Sequence, residues 1–341
     1  MSDDDTTAPG WVLRNLTHAY TERKPTEWVV NGIFATQSLS AVYGPPGSYK
    51  SMLLADLAAH VVAGTPWMPG GANIPVQQCP VLWVDMDNGT RRTDERVDAV
   101  AKAHNLPEDA PFYYVSMPLP PLIGHDLESM LLLRDCIRDL GARFVVIDNL
   151  GMVTGDVEEN NSQMALVMGN FRIVAERTGA ALVVIHHQRK GGAQGGRAGD
   201  ALRGHSSIEA ALDLALLIVR EPNQPQVSVL STKTRGVDVP PFSGRFLFEH
   251  VPGTNDLARA WFEGVETNVN REQVVQDAIY RVLEDGPLTK TLLANRAKAV
   301  AGEHAPGINI VRGIIDQMLA DGELIERKAQ GNKRVIYVDE K

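Results

Sequence analysis

Little in this chain could cross-link it, anchor it in a membrane or coat it with positive charge. Cys79 and Cys136 are its only cysteines. Far apart and outside any C-x-x-C spacing, they exclude a disulfide scaffold and a cysteine zinc cluster, and they point to a reducing cytoplasm. No run of about 20 uninterrupted apolar residues occurs. The opening MSDDDTTAPG is acidic and polar, without the apolar core of a signal peptide, so the chain is expected to be neither secreted nor membrane-spanning. Positive charge is also short: 33 Lys and Arg against 42 Asp and Glu leave a net charge of −9. That excludes a protein that covers nucleic acid with its whole surface, so any such contact must be local. What is present is an ordinary globular mixture, 44% apolar and 22% charged, in 341 residues, enough for one large domain or two unequal ones.

The pattern of apolar residues divides the chain. Residues 1–25 lack periodicity and read as a flexible acidic tail, followed by a lead-in strand around Trp28 to Ile33. From there to residue 265, short Val/Ile/Leu runs alternate with helical patterns. The strand candidates are 39–43, 81–85, 112–115, 144–147, 182–185, 214–219 and 226–233; the helical patterns lie near 91–104, 127–140 and 162–178. Met52, Leu53, Leu57, Val61 and Val62 share one face of a further helix. Alternation of this kind predicts the α/β class, with a mostly parallel sheet covered on both faces. Closely spaced runs at 244–249 and 261–265 predict antiparallel edge strands. A polar break at Glu266 to Asn270 precedes a last segment, 270–341, with three helical patterns and two short strands joined at Gln330-Gly331-Asn332, the outline of a small winged helix.

Gly44-Pro45-Pro46-Gly47-Ser48-Tyr49-Lys50-Ser51 stands between a strand and a helix. Backbone N–H groups of such a loop wrap phosphates, the helix N-terminus adds positive potential, Lys50 reaches the β and γ phosphates, and the Ser51 hydroxyl can ligate Mg²⁺. Tyr49 departs from the pattern, because glycine commonly stands there. Phe144-Val145-Val146-Ile147-Asp148 is an apolar strand ending in a carboxylate that can hold the same Mg²⁺. Val81-Leu82-Trp83-Val84-Asp85-Met86-Asp87 is another. Asp87 is the candidate base that orients attacking water; alternatively, Asp85 or Asp87 caps the helix that follows.

In this order the elements resemble RecA-like NTPases, in particular the hexameric RepA and DnaB type of helicase ATPase of phage and plasmid replication, over residues 26–265. The resemblance implies a RecA-like ATPase core that uses ATP and Mg²⁺. It implies that His187, in Leu182-Val183-Val184-Ile185-His186-His187, senses the γ-phosphate; the residues alone leave a metal site or a surface histidine open. The following loop, Gln188 to Gly204, has six glycines, and Arg189, Lys190, Arg197 and Arg203 face one acid, Asp200. In the family such loops grip single-stranded DNA, and the lack of aromatics here favours phosphate tracking over base stacking. Ser231-Thr232-Lys233-Thr234-Arg235-Gly236 resembles the hairpin whose Lys and Arg enter a neighbouring subunit's ATP site. It implies that Lys233 and Arg235 act in trans within a homo-oligomer, expected to be a hexameric ring.

Residues 270–341 carry 11 basic and 11 acidic residues. Such a balance suits a replication protein partner as well as duplex DNA. The expected function is Mg²⁺-dependent ATP hydrolysis coupled to movement along single-stranded DNA, that of a replicative helicase. The alternatives are a recombination mediator or DNA-loading protein, and a nucleotide-gated winged-helix regulator.

Overall fold

The computed structural model describes residues 14–23, 25–155, 163–187, 206–220, 224–236, 238–265, 271–283, 286–301, 307–328 and 334–338. Within the stretch read as a tail, α1 (Leu16–Tyr20) forms a short exposed helix. Its N-cap Asn15 accepts a hydrogen bond from the His18 backbone N–H, which is local capping and needs no core. The expected single lead-in strand is a small hairpin, β1 (Trp28–Val30) and β2 (Phe34–Ala35). Gly32, at φ 71°, turns the chain between them.

The apolar runs form the sheet: β3 (Ser38–Gly44), β4 (Val81–Asp85), β5 (Phe112–Ser116), β6 (Phe144–Asp148), β7 (Ala181–His187), β8 (Leu214–Arg220), β9 (Gln226–Thr234), β10 (Phe242–His250) and β11 (Leu257–Val265). Their order across the sheet is β11-β10-β9-β8-β3-β7-β6-β4-β5. From β8 to β5 neighbours run parallel, and from β8 to β11 they alternate. This is the expected α/β core, a mostly parallel sheet with antiparallel strands on one side. Every residue of β3, β4 and β6 is buried, which is why these strands read as continuous apolar runs.

The helices are α2 (Lys50–Ala63), α3 (Thr90–Ala103), α4 (Leu127–Leu140), α5 (Leu150–Val153), α6 (Gln163–Thr178) and α7 (Ser206–Ala211). One face of the sheet packs on α2 and α3 through Leu53, Leu57, Val61 and Val100, the other on α4 and α6 through Leu133, Ile137, Val167 and Phe171. The predicted single apolar face of α2 is an underestimate: Leu53 to Val62 are buried all round, whereas Met52 is half-buried. The cause is the β10–β11 hairpin, which folds back over both helices. Its backbone is tied there by Phe262 N–H to Asp56 (3.0 Å) and Leu257 N–H to Glu95 (2.7 Å).

The last segment has its own core. Val275, Ile279, Leu293, Ala297, Val311, Ile315 and Met318 pack together from α8 (Arg271–Leu283), α9 (Lys290–Ala301) and α10 (Ile308–Ala320). The antiparallel pair β12 (Leu324–Lys328) and β13 (Arg334–Val338) closes it with Leu324 and Ile336. The polar break at 266–270 and the turn at 330–332 lie outside the described residues.

Candidate active site

Parallel pairing brings the candidate residues to one end of the sheet. In register, Gly44 on β3 faces His187 on β7, Asp148 on β6 faces Ile185 on β7, and Asp85 on β4 faces Asp148. The order of β3 between β7 and β8 makes this the point where successive connections diverge, the usual crevice for a ligand in an open α/β sheet.

The phosphate loop is closed on itself. Lys50 is buried, and its ammonium donates to the carbonyls of Gly44 (3.0 Å) and Pro45 (2.9 Å). Burial pushes its pKa down to about 8, against the pull of Asp148. Gly44 has φ 154°, and a Cβ there would lie 2.5 Å from the Ile218 carbonyl oxygen, so only glycine fits. No side chain caps the start of α2, so its first N–H groups are left for an anion.

Tyr49 occupies the left-handed region, φ 65° and ψ 19°, where the usual glycine would be unstrained. A side chain there costs roughly 1–2 kcal/mol. The Arg220 guanidinium carbon sits 3.9 Å from the Tyr49 ring centroid, and the Phe246 ring lies 4.7 Å away on centroids. A cation–π contact of about 0.5–2 kcal/mol and an aromatic pair of about 0.5–1.5 kcal/mol are enough to offset that strain. Arg220 also donates to the Gly47 carbonyl (2.8 Å) and the Gln224 carbonyl (2.7 Å). It therefore clamps the loop apex from the end of β8, a role sequence reading missed because 173 positions separate Arg220 from Gly47. Arg220→Ala should loosen the loop and raise the KM for nucleotide about tenfold while leaving the fold intact, since about 1.4 kcal/mol of positioning is lost; thermal melting and steady-state kinetics measure both.

Asp148 is buried, and it accepts a hydrogen bond from the Ser51 side chain. Burial pushes its pKa up to about 6, opposed by Arg96 and the Ser51 hydrogen bond and aided by Asp85 and Asp87. A buried carboxylate with a raised pKa beside a serine hydroxyl and two further acids is a donor set short of positive charge, which a divalent cation and its phosphates would fit. Arg96, from α3, partly supplies that charge: its guanidinium lies 3.3 Å from Asp148 and 3.8 Å from Asp85. Nothing in the spacing marked Arg96; the one signal was a cation in the helix directly after an acid-ended strand.

The two acids of β4 and its turn divide their work. Asp85 is fully buried and accepts from the backbone N–H of Asp87 (3.1 Å) and Asn88 (2.9 Å) and from the Thr93 hydroxyl (2.9 Å). It fixes the turn leading into α3 but does not cap that helix, whose N-cap is Gly89 with no side-chain hydrogen bond, so the capping alternative fails. Asp87 is exposed and borders a cavity of about 720 Å³ that Asn88, Arg92, Glu95 and Asp256 also line. Beside Gly44, His186 is buried at the end of β7 while His187 is exposed.

Lys233 and Arg235 lie elsewhere. β9 runs antiparallel to β8, pairing Lys233 with Ala215, so both cations sit at the opposite end of the strands from the phosphate loop. A seven-residue strand separates them from it, roughly 20 Å. In this chain they bind the C-terminal carbonyls of α7, Lys233 that of Glu209 and Arg235 that of Ala210, and Arg235 lies 3.9 Å from Asp213. Arg189, Lys190, Arg197 and Arg203 lie outside the described residues.

Residues 12–193 match the AAA_25 family, described as an AAA domain, more than half of the chain. The chain belongs to that family. Membership marks the core as a P-loop ATPase, a domain that binds and hydrolyses nucleotide, typically with Mg²⁺. Among solved structures it is similar to the RadB recombinase, with 15% identity and a TM-score of 0.44 over 62% of this chain and 88% of that one. Among the described residues no helix is long and apolar enough to cross a membrane.

Proposed function

We propose that this AAA protein is a Mg²⁺-dependent ATPase that assembles into a ring, expected to be hexameric, on single-stranded DNA and works there as a replicative helicase of the phage and plasmid type. The supporting observation is the split of charged residues across the sheet: Lys50, Ser51 and Asp148 share one end, and Lys233 and Arg235 occupy the other. A chain so built completes its site with a neighbour's cations. Bound Mg²⁺-ATP would supply an activated phosphoryl group and the charge that holds it. Lys50 then leaves the Gly44 and Pro45 carbonyls for the phosphates, with the loop N–H groups from Pro46 to Ser51 except proline cradling them. Ser51 and Asp148 hold the metal, exposed Asp87 orients water, and His187 meets the γ-phosphate.

Arg189, Lys190, Arg197 and Arg203 lie in the stretch that follows His187 in sequence, which links the state of the site to the DNA grip. Residues 26–265 are the motor, and 270–341, whose helices and hairpin have a separate core, are a winged-helix unit for a replication protein or duplex DNA. The test is the ATPase rate with and without single-stranded DNA, measured with the assembly state and strand displacement. Expected are a ring, stimulation of turnover by about tenfold or more, and directional displacement. Stimulated turnover without displacement would replace the helicase with a recombination mediator or loader. Turnover at the buffer blank with sequence-selective duplex binding would leave a nucleotide-gated regulator.

A further inference from the structure

The back of the phosphate-loop helix holds a second cluster that the ATPase reading does not use. Asp56 and His60 lie one turn apart on α2, and His104 caps the C-terminus of α3 beside them. Asp56 is fully buried, His60 is 4% exposed, and the His104 side chain is 12% exposed. One ligand atom from each lies within 4.8 Å of the other two.

The carboxylate is held rigidly. Asp56 Oδ1 accepts from Phe262 N–H (3.0 Å) and lies 2.8 Å from His104 Nε2; Oδ2 accepts from Trp67 Nε1–H (3.1 Å) and lies 3.9 Å from His60 Nε2. The His60 and His104 rings are 4.3 Å apart on centroids. His60 Nδ1 is engaged with the Thr65 hydroxyl (2.9 Å), while its Nε2 is buried with no hydrogen-bond partner. A buried polar atom left unpaired costs roughly 1–3 kcal/mol, and an orphan imidazole nitrogen facing a carboxylate and a second imidazole is the geometry a metal ion would resolve. In tetrahedral zinc sites with bonds of about 2.0–2.1 Å, donor atoms sit about 3.3 Å apart. Here His104 lies 2.8 Å from Asp56 Oδ1 and His60 3.9 Å from Asp56 Oδ2, and the three ligand atoms lie within 4.8 Å of one another, so the rings must draw in around a bound ion.

We propose that Asp56, His60 and His104 form a binding site for a divalent transition-metal ion of the zinc class, with two imidazoles and one carboxylate as protein ligands and water completing the coordination. Phe262 N–H, Trp67 and the Thr65 hydroxyl are the outer groups that orient the ligands. The ion would pin the C-terminal half of α2 to the end of α3, the helix that presents Arg96 to Asp85 and Asp148. Its ligands are hard oxygen and borderline nitrogen, which favour Zn²⁺ or Co²⁺ over Mg²⁺.

The experiment uses the full chain, stripped with a chelator and kept free of nucleotide. Titration with Co²⁺ should give one equivalent with the visible absorption of a low-symmetry N/O site, displaced by Zn²⁺ and indifferent to millimolar Mg²⁺, and Zn²⁺ should raise the melting temperature. The same equivalent should persist in Ser51→Ala, which separates this site from the phosphate loop. His60→Gln and His104→Gln should each weaken binding at least a hundredfold. X-ray absorption on the unaltered zinc-loaded chain should show two imidazoles, a readout that does not depend on the variants folding. Absence of a stoichiometric equivalent, an oxygen-only shell, or binding that survives both histidine substitutions would overturn the proposal and leave a metal-free polar network.

Discussion

Lys50→Ala should reduce turnover by a factor of about a hundred to a thousand and weaken nucleotide binding, the range found when a preorganised charge is removed from a developing anion. The ammonium is buried in the loop, 3.0 Å from the Gly44 carbonyl, and reaches phosphate by exchanging that carbonyl for it. The alanine chain should fold normally, since what it loses is one side chain's hydrogen bonds to the Gly44 and Pro45 carbonyls and the Ser48 hydroxyl, and a desolvation penalty that had lowered the pKa. The same environment makes a pH profile informative. Below about 6 Asp148 is protonated and cannot hold a cation; above about 8 Lys50 loses its charge. For the free enzyme kcat/KM should therefore rise through the first value and fall through the second. Turnover by Lys50→Ala at the parental rate in a phosphate-release assay would remove the ATPase assignment for this loop.

Much of this arrangement is legible in the sequence, for a physical reason. The central strands are buried on both faces, so their composition carries no face alternation and stands out as Phe144 to Ile147 or Leu182 to Ile185 do. Gly44 is demanded by the Ile218 carbonyl close beside it and Gly47 by its left-handed backbone at φ 78°, constraints that leave a written trace. Tyr49 looked like a departure because its compensation is nonlocal: Arg220 and Phe246 come from β8 and β10, and nothing in the spacing announces that they meet at its ring. The pairing of Asp56 with His104 is hidden for the same cause, since 48 positions separate the two residues. Asp87 reads as the candidate base from sequence, with either acid open as a helix cap; the backbone N–H groups that donate to Asp85 separate the structural acid from the exposed one.

Mixing two inactive proteins should restore activity, the second large effect expected here. Arg235→Ala removes the proposed trans cation, and Lys50→Ala removes the cis one; an arginine finger contributes a factor of about a thousand or more in rate. Each variant alone should be nearly silent. In a mixed ring some interfaces pair an intact phosphate loop with an intact finger, so activity should return as subunits exchange, with a dependence on total protein concentration. The opposite placement of the two groups along β8 and β9 is what makes complementation the expected outcome: a cation roughly 20 Å from its own loop cannot be repaired within one chain. To serve a neighbour, Arg235 must leave the Ala210 carbonyl and Asp213, which hold it in the isolated chain. Assembly and finger release are then linked, and Asp213→Asn, by weakening the hold on Arg235, should shift the rise of activity to lower protein concentration. If Arg235→Ala hydrolyses ATP at the parental rate with single-stranded DNA present, the trans assignment fails, and Arg235 serves only to cap the end of α7.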